Sequence, residues 1–590
     1  MHRWRRSAGN RASPPGRRTS RAKDGRTHGS YVTEQAVNSV VGKADYEADY
    51  VIIGAGSAGC ALASRLSENG RHQVLLLEAG GGDRPLHNLR QLLPNLLIKI
   101  PIGFGKTIHD PRVDWSFQTE QDPGTGGRRH SWPRGKVLGG SSAINGMLYV
   151  RGQQADFDLW RQLGCEGWGW DDVAPYFRRS EHQERGEDAY HGVGGPLNIS
   201  DPTERHVISD AVIDACEAIG IPRSPDINGA SQEGATYYQL TVKNGLRCSS
   251  AAAYLHTAMR RANLTVLTDA HATRIEFEGR RAAGVSFLHH GVPRTARARR
   301  EVVLASGAIN SPQLLQLSGI GPAGLLRGNG VKVVADLPAV GENLQDHYMT
   351  SIRYRLKPDV VSFNEVGRGG RLLREVGKFI FTRTGFLTLS SAQIGIFAKS
   401  RPDLAVPDVQ FHVLPASVDA EKLAAHGKVE FETKPGLTMA STQLRPESRG
   451  WIRIQSGDPR KAPVIFPNYL DHKIDQDVTI AGLKIGRRIA AEPLLSRYID
   501  FALDLGNGEP SDDELLEYAR HMGTTVYHPV GTCRMGHGDD AVVDPRMRVH
   551  GIDGLRVVDA SIMPRLVSGN TNAATIMIAE RAADMILGPD

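Results

Sequence analysis

Two short segments near the C-terminus hold the side chains best suited to moving a proton. In Tyr527-His528-Pro529-Val530-Gly531 the proline and the glycine hold a non-helical chain that projects His528 into a pocket. An imidazole exchanges protons near neutral pH, which suits a general base acting on a hydroxyl of high pKa. A lone loop histidine is more often simply hydrogen-bonded in place, so this segment needs a partner. Ser568-Gly569-Asn570-Thr571-Asn572 offers one, directly before a helical run. Asn570 and Asn572 also read as helix caps, a position asparagine fills well.

Other residues are of types that bind rather than react. In Gly54-Ala55-Gly56-Ser57-Ala58-Gly59, Gly54 allows a sharp turn and Gly56 admits a pyrophosphate to the backbone. Gly59 lets a helix pack closely, and the helix N-terminus faces the phosphates. Glu78 follows at the spacing where a carboxylate meets both hydroxyls of an adenosine ribose. An acid there argues against a ribose 2′-phosphate. Further on, Gly139-Gly140-Ser141-Ser142 offers closely spaced N–H groups and hydroxyls, suited to a phosphate or a flat polar ring edge. A serine-capped helix start explains the same residues.

The elements around these residues agree with a dinucleotide site. Tyr50-Val51-Ile52-Ile53 reads as a strand, the stretch to about Asn69 as a helix, and Val74-Leu75-Leu76-Leu77 as a second strand ending at Glu78. Glu301-Val302-Val303-Leu304-Ala305 is a later strand, and Asn263–Val285 reads as a β-meander. From about Thr350 to Thr524, runs such as Val409-Gln410-Phe411-His412-Val413 and Trp451-Ile452-Arg453-Ile454 alternate as half-buried antiparallel strands do. Residues 156–239 read as loop-rich.

Bulk properties narrow the function classes. The 590 residues suggest more than one domain, and 40% hydrophobic with 23% charged residues is ordinary for a globular protein. The formal charge of +6 comes from an arginine-rich opening stretch of about thirty residues, so no nucleic-acid surface is needed. That stretch lacks apolar periodicity and reads as disordered, with no signal-peptide core. No apolar run is long enough to span a membrane. Five scattered cysteines lack metal-ligand spacing and fit a reducing, cytoplasmic setting; no metal is expected.

The order of these motifs, with Gly307-Ala308-Ile309-Asn310-Ser311-Pro312-Gln313-Leu314-Leu315 and Ser318-Gly319-Ile320-Gly321, resembles the glucose–methanol–choline (GMC) oxidoreductases from about Tyr46 to the C-terminus. The resemblance implies an α/β protein: a Rossmann-type FAD-binding domain and an α+β substrate domain with a largely antiparallel sheet. It assigns residues 46–155, 240–345 and 535–590 to the first, 156–239 and 346–534 to the second, and leaves 1–45 as a basic tail. It implies FAD contacts at Gly54, Gly56, Ser57, Ala58, Gly59, Glu78, Ala79, Lys136, Val137, Gly140, Ser141, Asn145, Gly146, Thr273, Ser306, Gly307, Asp559, Ala560, Asn570 and Asn572. It makes His528 the base that takes an alcohol's proton, with Asn570 as its partner.

Two departures matter. Some family members bind FAD covalently through a histidine just before the asparagine; here that residue is Ile144, so dissociable FAD is expected. Choline-specific relatives meet the ammonium group with a glutamate, and alignment by eye puts Gln393 there, favouring an uncharged primary alcohol over choline. A quinone or oxygen is the expected electron acceptor, and a peripheral contact with the inner membrane stays open. The competing readings are an NAD-linked dehydrogenase, a non-redox hydroxynitrile lyase and a non-catalytic flavin-binding protein.

Overall fold

A computed structural model describes residues 44–85, 91–418, 430–506 and 508–588. The expected disordered tail, up to residue 43, lies outside them.

Two seven-stranded sheets organise the described chain. The first is built on β1 (Tyr46–Ile53), with β2 (Val74–Leu77) parallel on one side and Val292–Leu304 parallel on the other. Val51 to Ile53 and all of β2 are buried, because both faces of this parallel centre are covered. One cover is α1 (Ser57–Leu66), which packs against the last helix, Asn572–Leu587. Arg65 and Arg179 both grip the fully buried Glu580 of that last helix, at 2.9 and 2.7 Å.

The expected meander divides differently. Leu264–Leu267 joins the parallel sheet beside β2, and the antiparallel meander is Ala270–Glu278, Arg281–His289 and Val292–Leu304. Leu555–Val557 adds a short parallel strand beside the end of Val292–Leu304.

The second sheet is antiparallel throughout, in the order Ile499–Ala502, Tyr348–Leu356, Gly436–Gln443, Val409–Leu414, Ile394–Ala398 and Gly234–Tyr237. One face carries Ile352, Tyr354, Phe411, Val413 and Met439, sealed by helices Val207–Ala218 and Lys473–Ala491. The other face looks into a cavity, which is why Tyr348–Leu356 alternates between buried and half-buried residues. Among the described residues, Trp451–Arg453 is not part of this sheet and forms a two-stranded sheet with Val464–Phe466.

The stretch read as loop-rich contains helices Gln154–Gln162, Trp170–Ser180 and Val207–Ala218. Phe157, Trp160 and Phe177 share a core with β1 and the last helix, so the first two of these helices pack on the cofactor side of the expected boundary at residue 155. Among the described residues no helix is long and apolar enough to cross a membrane.

Candidate active site

A cavity of about 1370 Å³ runs between the two sheets, from Glu78 at one end to His528, Asn570 and the open face of the second sheet. At the first end the backbone approaches itself so closely that only glycine fits. Gly54 has φ +98°, and a Cβ there would lie 2.6 Å from the Ala305 carbonyl oxygen. A Cβ on Gly59 would lie 1.9 Å from the Gly54 oxygen, so the helix touches the turn. Gly140, at φ +52°, would put a Cβ 2.6 Å from Gly56 Cα. The two glycine motifs therefore form opposite walls of one groove, whose floor is backbone and the N-terminus of α1.

Glu78 closes the groove. It is buried, and its oxygens accept from the Ala55 and Gly80 N–H groups at 2.9 and 2.8 Å. Burial outweighs those bonds and pushes its carboxyl up to about 7. Asp559 accepts from the Gly307 N–H and Ser311 Oγ, tying the last segments of the chain to the start of helix Gly307–Leu317. Ser57 Oγ donates to Asn572 Oδ1 at 2.7 Å, joining α1 to the last helix.

Gly54, Gly56, Ser57, Ala58, Glu78, Ala79, Gly140, Ser141, Asn145, Gly146, Ser306, Gly307, Asp559, Ala560, Asn570 and Asn572 line the cavity together. Four expected contacts lie off its wall. Gly59 is behind the turn; Val137 is buried in a small apolar cluster, and Lys136 lies over the Trp115 ring. Thr273 sits at a bulge in its strand and donates to the Ser286 carbonyl, leaving Ala270, His271 and Ala272 to face the cavity. The glycine walls, the ribose-end acid and the helix N-terminus fit FAD. Ile144, also on the wall, has no atom that could bond to it covalently.

At the other end His528 and Asn570 meet, with Asn570 Nδ2 3.2 Å from His528 Nε2. Behind His528 stands His347, with the two Nδ1 atoms 3.0 Å apart. His347 Nε2 lies 3.0 Å from the Leu444 carbonyl oxygen, which only accepts, so that nitrogen carries the proton. A neutral His347 then accepts at Nδ1, His528 donates from Nδ1, and the lone pair of His528 Nε2 is left facing the cavity. Burial, reinforced by His347, His412 and Arg134, holds His528 well below the usual histidine range. Burial also takes His347 down to about 4. Both rings are neutral at pH 7.

Sequence reasoning missed His347 and several neighbours. Asp346 accepts the His528 N–H at 2.7 Å and bonds the hydroxyls of Thr525 and Tyr469; burial raises it to about 6. His412 lines the cavity, and neither ring nitrogen has a partner among the described residues. The one available signal was the alternating run Val409–Val413, whose polar positions, Gln410 and His412, share the face opposite the core.

Gln393 is a correction. Its amide bonds Ser209 Oγ and the Glu204 carbonyl, away from the main cavity, because it lies against helix Val207–Ala218. Ser391 lines the cavity instead. The carboxylates on the cavity wall, among the described residues, are Glu78 and Asp559, both at the groove end.

Comparison with known proteins gives consistent matches. Two family models, both described as GMC oxidoreductase, match residues 48–349 and 446–579. The chain is 43% identical to an alcohol dehydrogenase [acceptor] of Pseudomonas putida, covering 91% of this chain and 95% of that one. It is 41% identical to a mitochondrial choline dehydrogenase of Homo sapiens, covering 92% and 90%. Among solved structures, pyridoxine 4-oxidase from Mesorbium loti superposes with a TM-score of 0.80 at 31% identity, over 91% of this chain and 98% of that one. Formate oxidase of Aspergillus oryzae gives 0.84 at 26% identity, over 92% and 99%.

Proposed function

The chain belongs to the GMC oxidoreductase family and is an FAD-dependent oxidoreductase, and on that premise we propose that it oxidises an uncharged primary alcohol to the aldehyde. The observation that carries this reading is the pairing of a neutral His528, its Nε2 lone pair turned into the cavity, with the Asn570 amide N–H beside it.

His528 Nε2 takes the hydroxyl proton while Asn570 Nδ2 donates a hydrogen bond to the same oxygen as it gains negative charge. The O–H and carbinol C–H bonds break, and the C=O bond forms. When bound, FAD supplies the acceptor for the hydride. His347 keeps the base in its competent tautomer, and the clamped backbone around residue 528 holds the ring in place. The groove residues, with Ile144 in place of a histidine, support dissociable FAD.

Several features bear on the substrate. Among the described residues, the cavity wall contributed by Met147, Leu148 and the second sheet carries Met349, Ser351, Leu414, Thr438 and Ala440 and no carboxylate. A quaternary ammonium ion would lose its hydration there without gaining a counter-charge. Choline is the second reading, supported by the similarity to choline dehydrogenases. The acceptor in this proposal is a quinone, with oxygen the alternative. A membrane-surface contact completes it, supported by helix Gly369–Thr382, which exposes Leu373, Ile380 and Phe381 beside Arg371 and Arg374.

The test is an anaerobic titration of the FAD-loaded protein with a panel of alcohols, choline included. Bleaching by neutral primary alcohols, then fast reoxidation by a quinone and slow reoxidation by air, is the expected result. Acid precipitation should release the flavin into solution. A flavin that no alcohol bleaches overturns the proposal, and fast recovery in air makes the protein an oxidase.

A further inference from the structure

An amide has two faces, and Asn570 helps the reaction only if its N–H, not its carbonyl, points at His528 and the substrate oxygen. The chain of contacts behind Asn570 settles which. Tyr238, fully buried, donates its single hydroxyl proton to the Phe411 carbonyl at 3.0 Å. Whatever meets the Tyr238 oxygen must therefore be a donor, and Gln410 Nε2 does so at 2.8 Å. The same Nε2 lies 3.2 Å from Asn570 Oδ1. Its two hydrogens are thus spent on Tyr238 and on the Asn570 carbonyl, which turns Asn570 Nδ2 toward His528 Nε2. Rotating the Gln410 amide would set its carbonyl against two acceptors.

Resting on the proton-abstraction reading above, we propose that Gln410 and Tyr238 are positioning residues that lock the Asn570 amide with its N–H toward the reacting oxygen. Two backbone carbonyls, Leu444 and Phe411, anchor the opposite ends of one hydrogen-bond chain. From Leu444 the order is His347, then His528; from Phe411 it is Tyr238, Gln410, then Asn570. Each anchor accepts only, so proton positions are dictated from both ends. They meet between Asn570 and His528 as donor and acceptor. The fold makes room for this chain: a Cβ on Gly395, in the adjacent strand, would lie 2.6 Å from the Tyr238 ring. Gln410 is fully buried and its own Oε1 has no partner among the described residues, as expected of a residue held for its donors.

Gln410→Glu is the telling variant. An ionised carboxylate would accept from Tyr238 only if that hydroxyl left Phe411, and it would force Asn570 to turn its N–H away from His528. Flavin reduction by the alcohol should fall about 10²-fold, as for loss of one oxyanion donor. Relative to wild type at the same pH, the rate should recover as pH falls and the buried glutamate regains a proton to donate. Gln410→Leu should lose rate at every pH, and added to Asn570→Ala it should lower the rate no further. FAD affinity should stay near wild type in both, while a lower melting temperature is expected where buried polar groups lose their partners. If Gln410→Leu does not fold, Tyr238→Phe tests the same chain, with a smaller loss that Asn570→Ala again masks. Full rate in the Gln410 variants, or a loss that simply adds to Asn570→Ala, overturns the positioning role. His528→Ala runs beside them. If it keeps its rate, the base assignment fails instead; if it alone collapses, only the positioning role is lost.

Discussion

Arg134 and Asp346 hold the same peptide bond from opposite ends. Arg134 Nη2 donates to the Tyr527 carbonyl at 2.6 Å, and Asp346 Oδ1 accepts the His528 N–H at 2.7 Å. Tyr527 has φ +66°, a left-handed conformation disfavoured for a tyrosine, so the clamp maintains a bend that the chain alone would not keep. Removing the acid should release it. Asp346→Ala leaves three buried donors, on Tyr469, Thr525 and His528, without a partner. A loss of about 3 kcal/mol or more in urea unfolding is expected. The flavin-reduction rate should drop more than about tenfold, because the base is no longer held.

His528→Ala should lower the rate of flavin reduction by about 10² to 10⁴. FAD affinity should hold, since the groove is built by other residues. Stopped-flow reduction under nitrogen measures both arms, and a variant keeping more than about a tenth of the rate is incompatible with His528 as the base.

The pH profile follows from the direction of the His528 shift. The base must be neutral, and burial holds its pKa well below the usual 6.5, so raising the pH above neutrality adds no active form. On acidification Glu78, at about 7 in the glycine groove, is met first, and the first group met beside the base is Asp346, at about 6. Its protonation weakens the clamp while His528 stays neutral. The value of kcat/KM should be flat above pH 7 and decline through pH 6. A steep rise between pH 7 and 9 would show that the base titrates there, contrary to its buried setting.

Gly140→Ala should expel the cofactor. The new methyl would meet Gly56 Cα at 2.6 Å, backbone against backbone, at a position already left-handed. The purified variant should carry far less flavin per chain than wild type, read from its visible absorbance, and should melt lower.

Choline and its neutral carbon isostere differ only in charge, so their kcat/KM ratio isolates that charge. With no carboxylate on the substrate wall among the described residues, the isostere should be favoured by about tenfold or more. Equal or better turnover of choline would mean that a counter-charge reaches the site in the working enzyme.

Much of the groove was legible in the sequence because its chemistry is local: Gly54, Gly56 and Glu78 act through adjacent backbone, and spacing alone reports them. His528 and Asn570 were legible through their motifs, and the structure brings them to 3.2 Å. Residues acting through another side chain left no such trace. His347, Gln410 and Tyr238 are remote in the chain from what they orient, and only sheet register places them. Gln393 shows the opposite failure: Ser391, two residues upstream, faces the cavity while Gln393 faces a helix, a difference that alignment by eye does not resolve. Thr273 lies off the cavity wall beside a bulge in its strand, a local irregularity that sequence patterning does not report.

The bond from Ser57 to Asn572 spans 515 positions, and the cofactor groove needs both ends of it. On the ribosome the glycine turn emerges early, and for nearly the whole of translation it has no last helix to pack against. A nascent chain that has not yet reached residue 572 therefore lacks one of the partners that close the groove. A stop codon ahead of the final helix would yield a protein that keeps every glycine of the first motif and stays colourless.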